Sequence, residues 1–304
     1  REVFEAARQR GLKLGSVNPT YFLSGFHRGS LISPEEKTRQ RAIEQTQIAG
    51  RIAAELGQGV LSLWFPDGSL YPGQVELRHA YERMRDGLVE SLRDVPPTVT
   101  VLLEYKLFEP GTYSTVIPDW GTAFLLARHV GRQAGVLVDL GHHPHGTNIE
   151  QIVAVLRSEG LPGGFHFNTR YAADDDQAVE PNPELARIFY ELLLEEGSGI
   201  FPENWTFMLD QASSRENRIE AILHSIDSLQ TALARACLVN RKILHQFQRQ
   251  DDIIAATRFF NQALLQADVR PVLYQARSSR DLPLDPVMAY KASGYQTRIE
   301  ARRV

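Results

Sequence analysis

The residues of this chain best suited to chemistry lie in Gly163–Asp176, GGFHFNTRYAADDD. Residues 164–168 read as a short buried strand, and its period of two puts His166 and Asn168 on one face. Asp174 and Asp176 follow eight and ten residues after His166, again on alternate positions. An imidazole with two spaced carboxylates at a strand end is a donor set for a borderline cation such as Mn²⁺ or Co²⁺. Three consecutive aspartates, Asp174–Asp176, repel one another unless a cation or water screens them. The plain alternative is a solvated acidic loop beside a core histidine.

Other expected strand ends carry the same residue types. Trp64 and Asp67 follow one. Glu104 and Lys106 share a face of the next. Asp139, then His142 and His143, end another, and Asp210 ends the last. If these ends meet at one mouth, so many carboxylates need cations to offset their repulsion. One site would take Glu104, Asp139, His166 and Asp210, each from a different strand. A second, built from loops, would take His142, Asp174 and Asp176. Mixed oxygen and nitrogen donors suit Mn²⁺, Co²⁺ or Mg²⁺ better than a structural zinc site. Singly, each residue has a plainer reading. Asp139 and Asp210 could cap helices, Glu104 could end a strand at the surface, and His143 and His145 read as loop histidines. Lys106 could pair locally or reach a substrate oxygen. Trp64 could be core or a wall on which a sugar stacks. Asp119-Trp120 reads as a helix start.

The elements that must position these residues are legible in order. Arg1–Arg10 reads as a helix already under way, stopped by Gly11; the expectation is that chain precedes it. Leu12–Asn18 reads as a short strand. Ser33-Pro34-Glu35-Glu36 starts a helix that runs to about Leu56. Strands then end near Trp64, Lys106, Asp139, Asn168 and Asp210. They alternate with helices expected over about 75–93, 120–130, 148–159, 183–196 and 216–248, and one or two more helices follow in 251–304. Short strands apolar on both faces, alternating with amphipathic helices, imply a parallel sheet covered by helices. No GxGxxG or P-loop follows a strand. Polar residues end many strands in succession, which favours a (β/α)₈ barrel over an open doubly wound sheet. The expected fold is therefore an α/β TIM (β/α)₈ barrel lacking its first two βα units. The barrel would occupy 1–250 and a C-terminal helical extension 251–304.

The 304 residues are 43% hydrophobic and 23% charged with a net charge of -4, an ordinary globular composition long enough for a large core. Mild acidity argues against a nucleic-acid or membrane surface. A single cysteine, Cys237, allows no intrachain disulfide and fits a reducing, cytoplasmic setting; on its helix it reads as a small core residue. No apolar run reaches transmembrane length and no signal-peptide pattern opens the chain.

The segments LWFPDGSLYPGQ, LLEYKLFEPGTYSTVIPDWGT, VDLGHHPHGTNIE, GGFHFN…DDD and MLDQ together resemble the bacterial L-rhamnose isomerases of the xylose-isomerase-like TIM-barrel superfamily, closest to the branch with broad aldose specificity. The resemblance runs from about Gly11 to DPVMAYKASGYQTR. It implies two divalent cations, Mn²⁺ ahead of Co²⁺ or Mg²⁺, and a reversible aldose–ketose isomerisation by a metal-mediated 1,2-hydride shift. It also implies a small sugar substrate and a homo-oligomer, a tetramer. By position, Glu104, Asp139, His166 and Asp210 match the structural metal site. His142, Asp174 and Asp176 match the catalytic one, with His166 near both, and Lys106 and Trp64 match substrate contacts. Lys106, Asp174 and His142 are the residues expected to take part in the reaction. Two departures, Thr169 after HFN and DQASS at Asp210–Ser214, could alter the surroundings of the metals. The family's first two strands have no counterpart here. A ketose 3-epimerase of the same superfamily is the nearest rival, but that chemistry wants two glutamates across one metal. A metal-dependent nuclease on this fold would want a basic stripe that the chain lacks. A degenerate, non-enzymatic homologue would not keep every ligand.

Overall fold

The computed structural model describes residues 2–55, 59–109, 113–170, 177–193, 201–212 and 215–302. The chain forms two compact units. The first holds Arg1–Thr147, Leu156–His166 and Glu203–Met208; the second holds Asn148–Val155, Phe167–Pro202 and Leu209–Val304.

The first unit opens with α1 (Glu2–Gln9), which ends where the sequence places its stop. The amides of Gly11 and Leu12 return to the carbonyls of Arg8 and Ala7. Then come β1 (Ser16–Val17), α2 (Glu36–Glu55), β2 (Val60–Leu63), β3 (Gly68–Ser69), α3 (Leu77–Leu92) and β4 (Thr100–Glu104). β5 (Phe108–Glu109), β6 (Tyr113–Thr115), α4 (Trp120–Val130) and β7 (Ala134–Asp139) follow. Most of β8 (Gly163–Phe167) and β9 (Trp205–Leu209) belongs here too. The helices form because their apolar residues recur at helical spacing. In α3 the buried set is Ala80, Met84, Gly87, Leu88, Ser91 and Leu92. Asp119 caps α4, its side chain accepting the Thr122 amide at 2.9 Å, as its position after a loop predicts.

The main sheet has the order β1-β2-β4-β7-β8-β9. The pairs from β1 to β8 are parallel, with Ser16 opposite Val60, Val60 opposite Thr100, Val101 opposite Ala134 and Val136 opposite Gly163. Strand order follows chain order without reversal. An open doubly wound sheet reverses at a switch point, whereas a barrel adds each strand on the same side. This is a partial TIM barrel, the architecture the alternating pattern predicts. β2, β7 and β8 are buried along their whole length, on both faces, as an all-parallel sheet requires. On one face Val60, Leu102 and Leu137 pack together with Met208 against them. Each such side chain removed from water contributes about 1.5–3 kcal/mol. Gly163 is glycine because Trp205 lies on it: a Cβ there would sit 2.4 Å from the indole. A second, antiparallel sheet, β3-β6-β5, joins the loops that follow β2 and β4. Its two- and three-residue strands have no counterpart in the sequence reading.

The second unit contains most of α5 (Ile149–Ser158), then α6 (Pro183–Leu192), α7 (Arg218–Cys237), α8 (Arg241–Arg249) and α9 (Ile253–Asn261). A π-helical turn (Gln262–Gln266), α10 (Arg270–Ser278), α11 (Pro286–Ala292) and α12 (Tyr295–Glu300) complete it. The helix expected over 216–248 is two helices. α7 stops at Cys237, and Asn240 starts α8 by accepting the Ile243 amide at 3.2 Å. The tail forms more helices than the one or two expected. Arg277 ties it to α7, donating to Asp227, to Gln230 at 2.8 Å and to the Leu284 carbonyl at 2.6 Å. Cys237 is exposed at the end of α7, so the reading of it as core is corrected. Among the described residues no helix is long and apolar enough to cross a membrane.

Candidate metal centre

Strand alternation stacks a polar layer on the apolar one. Leu102 and Leu137 lie in the apolar cluster, so Glu104 and Asp139, two residues on, share their face at the strand ends. Gly164 belongs to that face as well, since a Cβ there would meet Leu102 at 2.6 Å and Leu137 at 3.1 Å. His166 is therefore the polar residue that β8 adds, and it stands opposite Asp139 in the register. Asp210 directly follows β9. The Asp210 amide donates to the Phe167 carbonyl at 3.2 Å and extends the strand pairing by one step.

Glu104, Asp139, His142 and His166 are all buried, Asp139 completely. His166 Nδ1 lies 3.1 Å from Glu104 Oε1 and 3.8 Å from Asp139 Oδ2. His142 Nδ1 lies 3.4 Å from Glu104 Oε1 and 4.0 Å from Asp139 Oδ1. Glu104, Asp139 and His166 each offer a donor atom, all within 4.8 Å of one another. Two buried carboxylates at this separation repel strongly in a low dielectric, and a divalent cation between them and the imidazole removes that cost. The residues present fit a hard-to-borderline cation. The helix-cap alternative fails for both aspartates. Asp139 Oδ1 accepts the amides of Gly141 at 2.8 Å and His142 at 3.2 Å in a loop turn, while Asn148 supplies the oxygen that accepts the Gln151 amide at the start of α5. Asn217 caps α7 in the place where Asp210 was considered.

Trp64 and Lys106 follow the neighbouring strands β2 and β4. The Lys106 ammonium sits 5.7 Å over the Trp64 ring and 3.9 Å from Glu109. Phe22 packs at 5.1 Å on the same indole. β6 and the residues just after it hold Lys106 in place: its amide donates to the Ile117 carbonyl at 3.1 Å, and the Thr115 hydroxyl donates to its carbonyl. Trp64 is thus half-buried with a cation on its face, neither wholly core nor an open wall. His145 is exposed, as its loop reading implies. His143 lies in the same loop, as read, but is buried and bonded to the Tyr105 hydroxyl at 2.6 Å. Tyr105 escaped the sequence reading, because alternation turns it away from Glu104 and Lys106. Burial, then Asp139, Asp119 and Glu104, push its phenol well above the usual range and keep it protonated. Asp67 holds the loop at Ser30–Ile32, whose amides donate to its carboxylate. Asp174 and Asp176 lie outside the described residues.

The sequence model of the family described as "Xylose isomerase-like TIM barrel" matches residues 1–227. A protein named "probable sugar isomerase" from Mesorhizobium japonicum is 37% identical over 98% of this chain and 71% of its own length. A second of that name, from Rhizobium meliloti, is 38% identical over 90% of this chain. The chain spans only 64% of that relative's length. Among solved structures, an L-ribulose 3-epimerase superposes with a TM-score of 0.56 over 79% of this chain and 82% of its own, at 14% identity. At that identity the likeness speaks to the fold alone.

Proposed function

Because the chain belongs to the xylose isomerase-like TIM barrel family, we propose that it is a metal-dependent aldose–ketose isomerase of the L-rhamnose isomerase type. The observation that carries this reading is the buried meeting of Glu104, Asp139 and His166 at three adjacent strand ends, with His142 beside them. These three and Asp210 would hold one divalent cation; His142, Asp174 and Asp176 would hold a second, Mn²⁺ ahead of Co²⁺ or Mg²⁺. Bound there, the cations supply Lewis-acid polarisation of the sugar carbonyl and offset charge on its neighbouring oxygen. The reaction moves the C2 hydrogen of an open-chain aldose to C1 with its electron pair, and transfers the O2 proton to O1. Lys106 donates to O1, where charge develops. Trp64, half-buried with Lys106 over its ring, would touch the sugar beside that lysine. The enzyme would work in the cytoplasm as a homo-oligomer, a tetramer by family resemblance.

The test is to incubate the full-length protein with Mn²⁺ and a panel of aldoses, L-rhamnose among them, in D₂O, and to read the products by NMR. The expected result is ketose formation with most of the carbon-bound hydrogen retained. Heavy deuterium incorporation at C1 or C2, or exchange and inversion at C3, would overturn it.

A further inference from the structure

Tyr105 contacts both histidines of the turn after β7, each through a different group. Its backbone carbonyl lies 2.9 Å from His142 Nδ1, and its hydroxyl lies 2.6 Å from His143 Nε2. The second close neighbour of His142 Nδ1 is Glu104 Oε1, at 3.4 Å. A carbonyl and a carboxylate only accept, so His142 carries its hydrogen on Nδ1 and its lone pair on Nε2. His143 Nδ1 lies 3.3 Å from the Leu140 carbonyl, which places its hydrogen on Nδ1 too. His143 Nε2 therefore accepts from the Tyr105 hydroxyl. The Tyr105 and His143 rings meet edge to face at 5.2 Å, and the tyrosine is 1% exposed, so its hydroxyl is withdrawn from bulk solvent.

We propose that Tyr105 is the positioning residue of this centre, fixing both histidine tautomers of the Gly141-His142-His143 turn and presenting His142 Nε2 to a divalent cation. The proposal rests on reading the strand ends as a metal centre. Free imidazole favours the hydrogen on Nε2, so both rings are held in the less favoured form. A hydrogen bond from the second ring nitrogen orients a metal-binding histidine and raises its basicity. Here the accepting carbonyl belongs to the residue between Glu104 and Lys106. The hydroxyl of that residue fixes the turn that carries the ring, so one residue, through its carbonyl and its hydroxyl, joins both histidines to the strand end between Glu104 and Lys106.

The experiment uses ¹⁵N-histidine-labelled, metal-stripped protein near neutral pH, with His142→Gln and His143→Gln variants to assign the two signals. Both residues are expected to show Nδ1–H. Tyr105→Phe keeps the ring and carbonyl but removes the donor to His143. It should change the His143 signal and weaken Mn²⁺ binding, measured calorimetrically, by about 10-fold or more, with the far-ultraviolet circular dichroism unchanged. An Nε2–H signal for His142 in the parent, or Mn²⁺ affinity in Tyr105→Phe within about twofold of the parent, would overturn the proposal. If Tyr105→Phe does not fold, the parent's His142 tautomer decides. A parent with both Nδ1–H signals that binds no Mn²⁺ would instead overturn the metal reading and leave the tautomers standing.

Discussion

The ends of β2 and β7 each carry a buried aspartate, and their surroundings differ in kind. Asp67, just beyond β2, accepts the Ser30 amide at 2.9 Å, the Ser30 hydroxyl at 2.7 Å and the Ile32 amide at 3.0 Å. It holds a loop whose close turn needs Gly29, at φ +96, where a Cβ would strike Ile32 at 2.6 Å. Asp139, at the end of β7, accepts two amides of its own turn and also faces the imidazoles of His142 and His166 beside Glu104. The first carboxylate is matched by donors from one loop. The second stands among groups that want a cation. A buried carboxylate met only by the donors of one loop organises chain; one that also stands beside a second carboxylate and an imidazole organises a ligand.

The largest effect should follow from breaking the second kind. Asp139→Ala or His166→Ala is expected to release the cation, which elemental analysis of the purified protein would read. The variants should also lose the rise in melting temperature that Mn²⁺ confers on the parent. Asp139→Asn sharpens the contrast. It keeps an oxygen for the Gly141 amide while removing one of two crowded charges, so the chelator-treated variant should melt no lower than the parent. A clear loss of metal-free stability would mean that Asp139 serves the turn more than the site. In catalysis, replacing both Asp174 and Asp176 by Asn should spare the first cation and cut kcat by several powers of ten. A change of less than tenfold would remove those residues from the chemistry.

Asp67 should behave in the opposite way. Asp67→Ala leaves Ser30 and Ile32 donors buried without an acceptor, at about 1–3 kcal/mol each. The expected cost is roughly 2–5 kcal/mol in chemical denaturation, with metal content unchanged. Asp67→Asn should cost less, and its pH dependence carries a sign. Burial pushes the Asp67 carboxyl up, ahead of the lowering by its Ile32, Ser30 and Leu31 partners. A raised folded value means that the group's contribution is full below the unfolded value, near 3.8, and is lost as pH rises through the folded one. The stability of the parent relative to Asp67→Asn should therefore fall with rising pH across that window. A difference that grows with pH would show that the donors outweigh burial.

The strands and their order were readable because both-faced apolar runs leave few other folds, and period two carried Glu104, Asp139 and His166 to one layer. What separates Asp67 from Asp139 was not readable. Both follow a short buried strand, and their partners come from residues up to 37 positions away in the chain for one and from adjacent strands for the other. The small sheet escaped because Gly68–Ser69 and Tyr113–Thr115 are too short to show a period. The break between α7 and α8 falls within an apolar run without glycine or proline, and only Asn240 hints at a new start. Tyr105 carries no signal of its own in the sequence, since only the turn after β7 brings His143 to its hydroxyl.

A third aspartate tests the comparison at its weak end. Asp268 is exposed, at the start of α10, where the N-cap position itself is Val269 with no side-chain bond. Asp268 accepts the Arg270 amide at 3.1 Å and the Arg270 guanidinium at 2.8 Å through each oxygen. The Arg270 side chain, then its amide, pull the carboxyl down to about 2. A depressed folded value reverses the sign found for Asp67. The contribution is present above the unfolded value, near 3.8, and is lost as pH falls through about 2. Water and salt screen such a pair, so the effect should be the smallest of the series. Melting curves of the parent and Asp268→Asn should differ slightly at pH 5 in low salt, and the gap should close both near pH 2 and in about 1 M salt, where the Debye length is ~3 Å. A gap as large as that of Asp67→Asn, or one that survives both acid and salt, would mean that α10 depends on this carboxylate as a buried anchor. Exposure would then not be what separates the three aspartates.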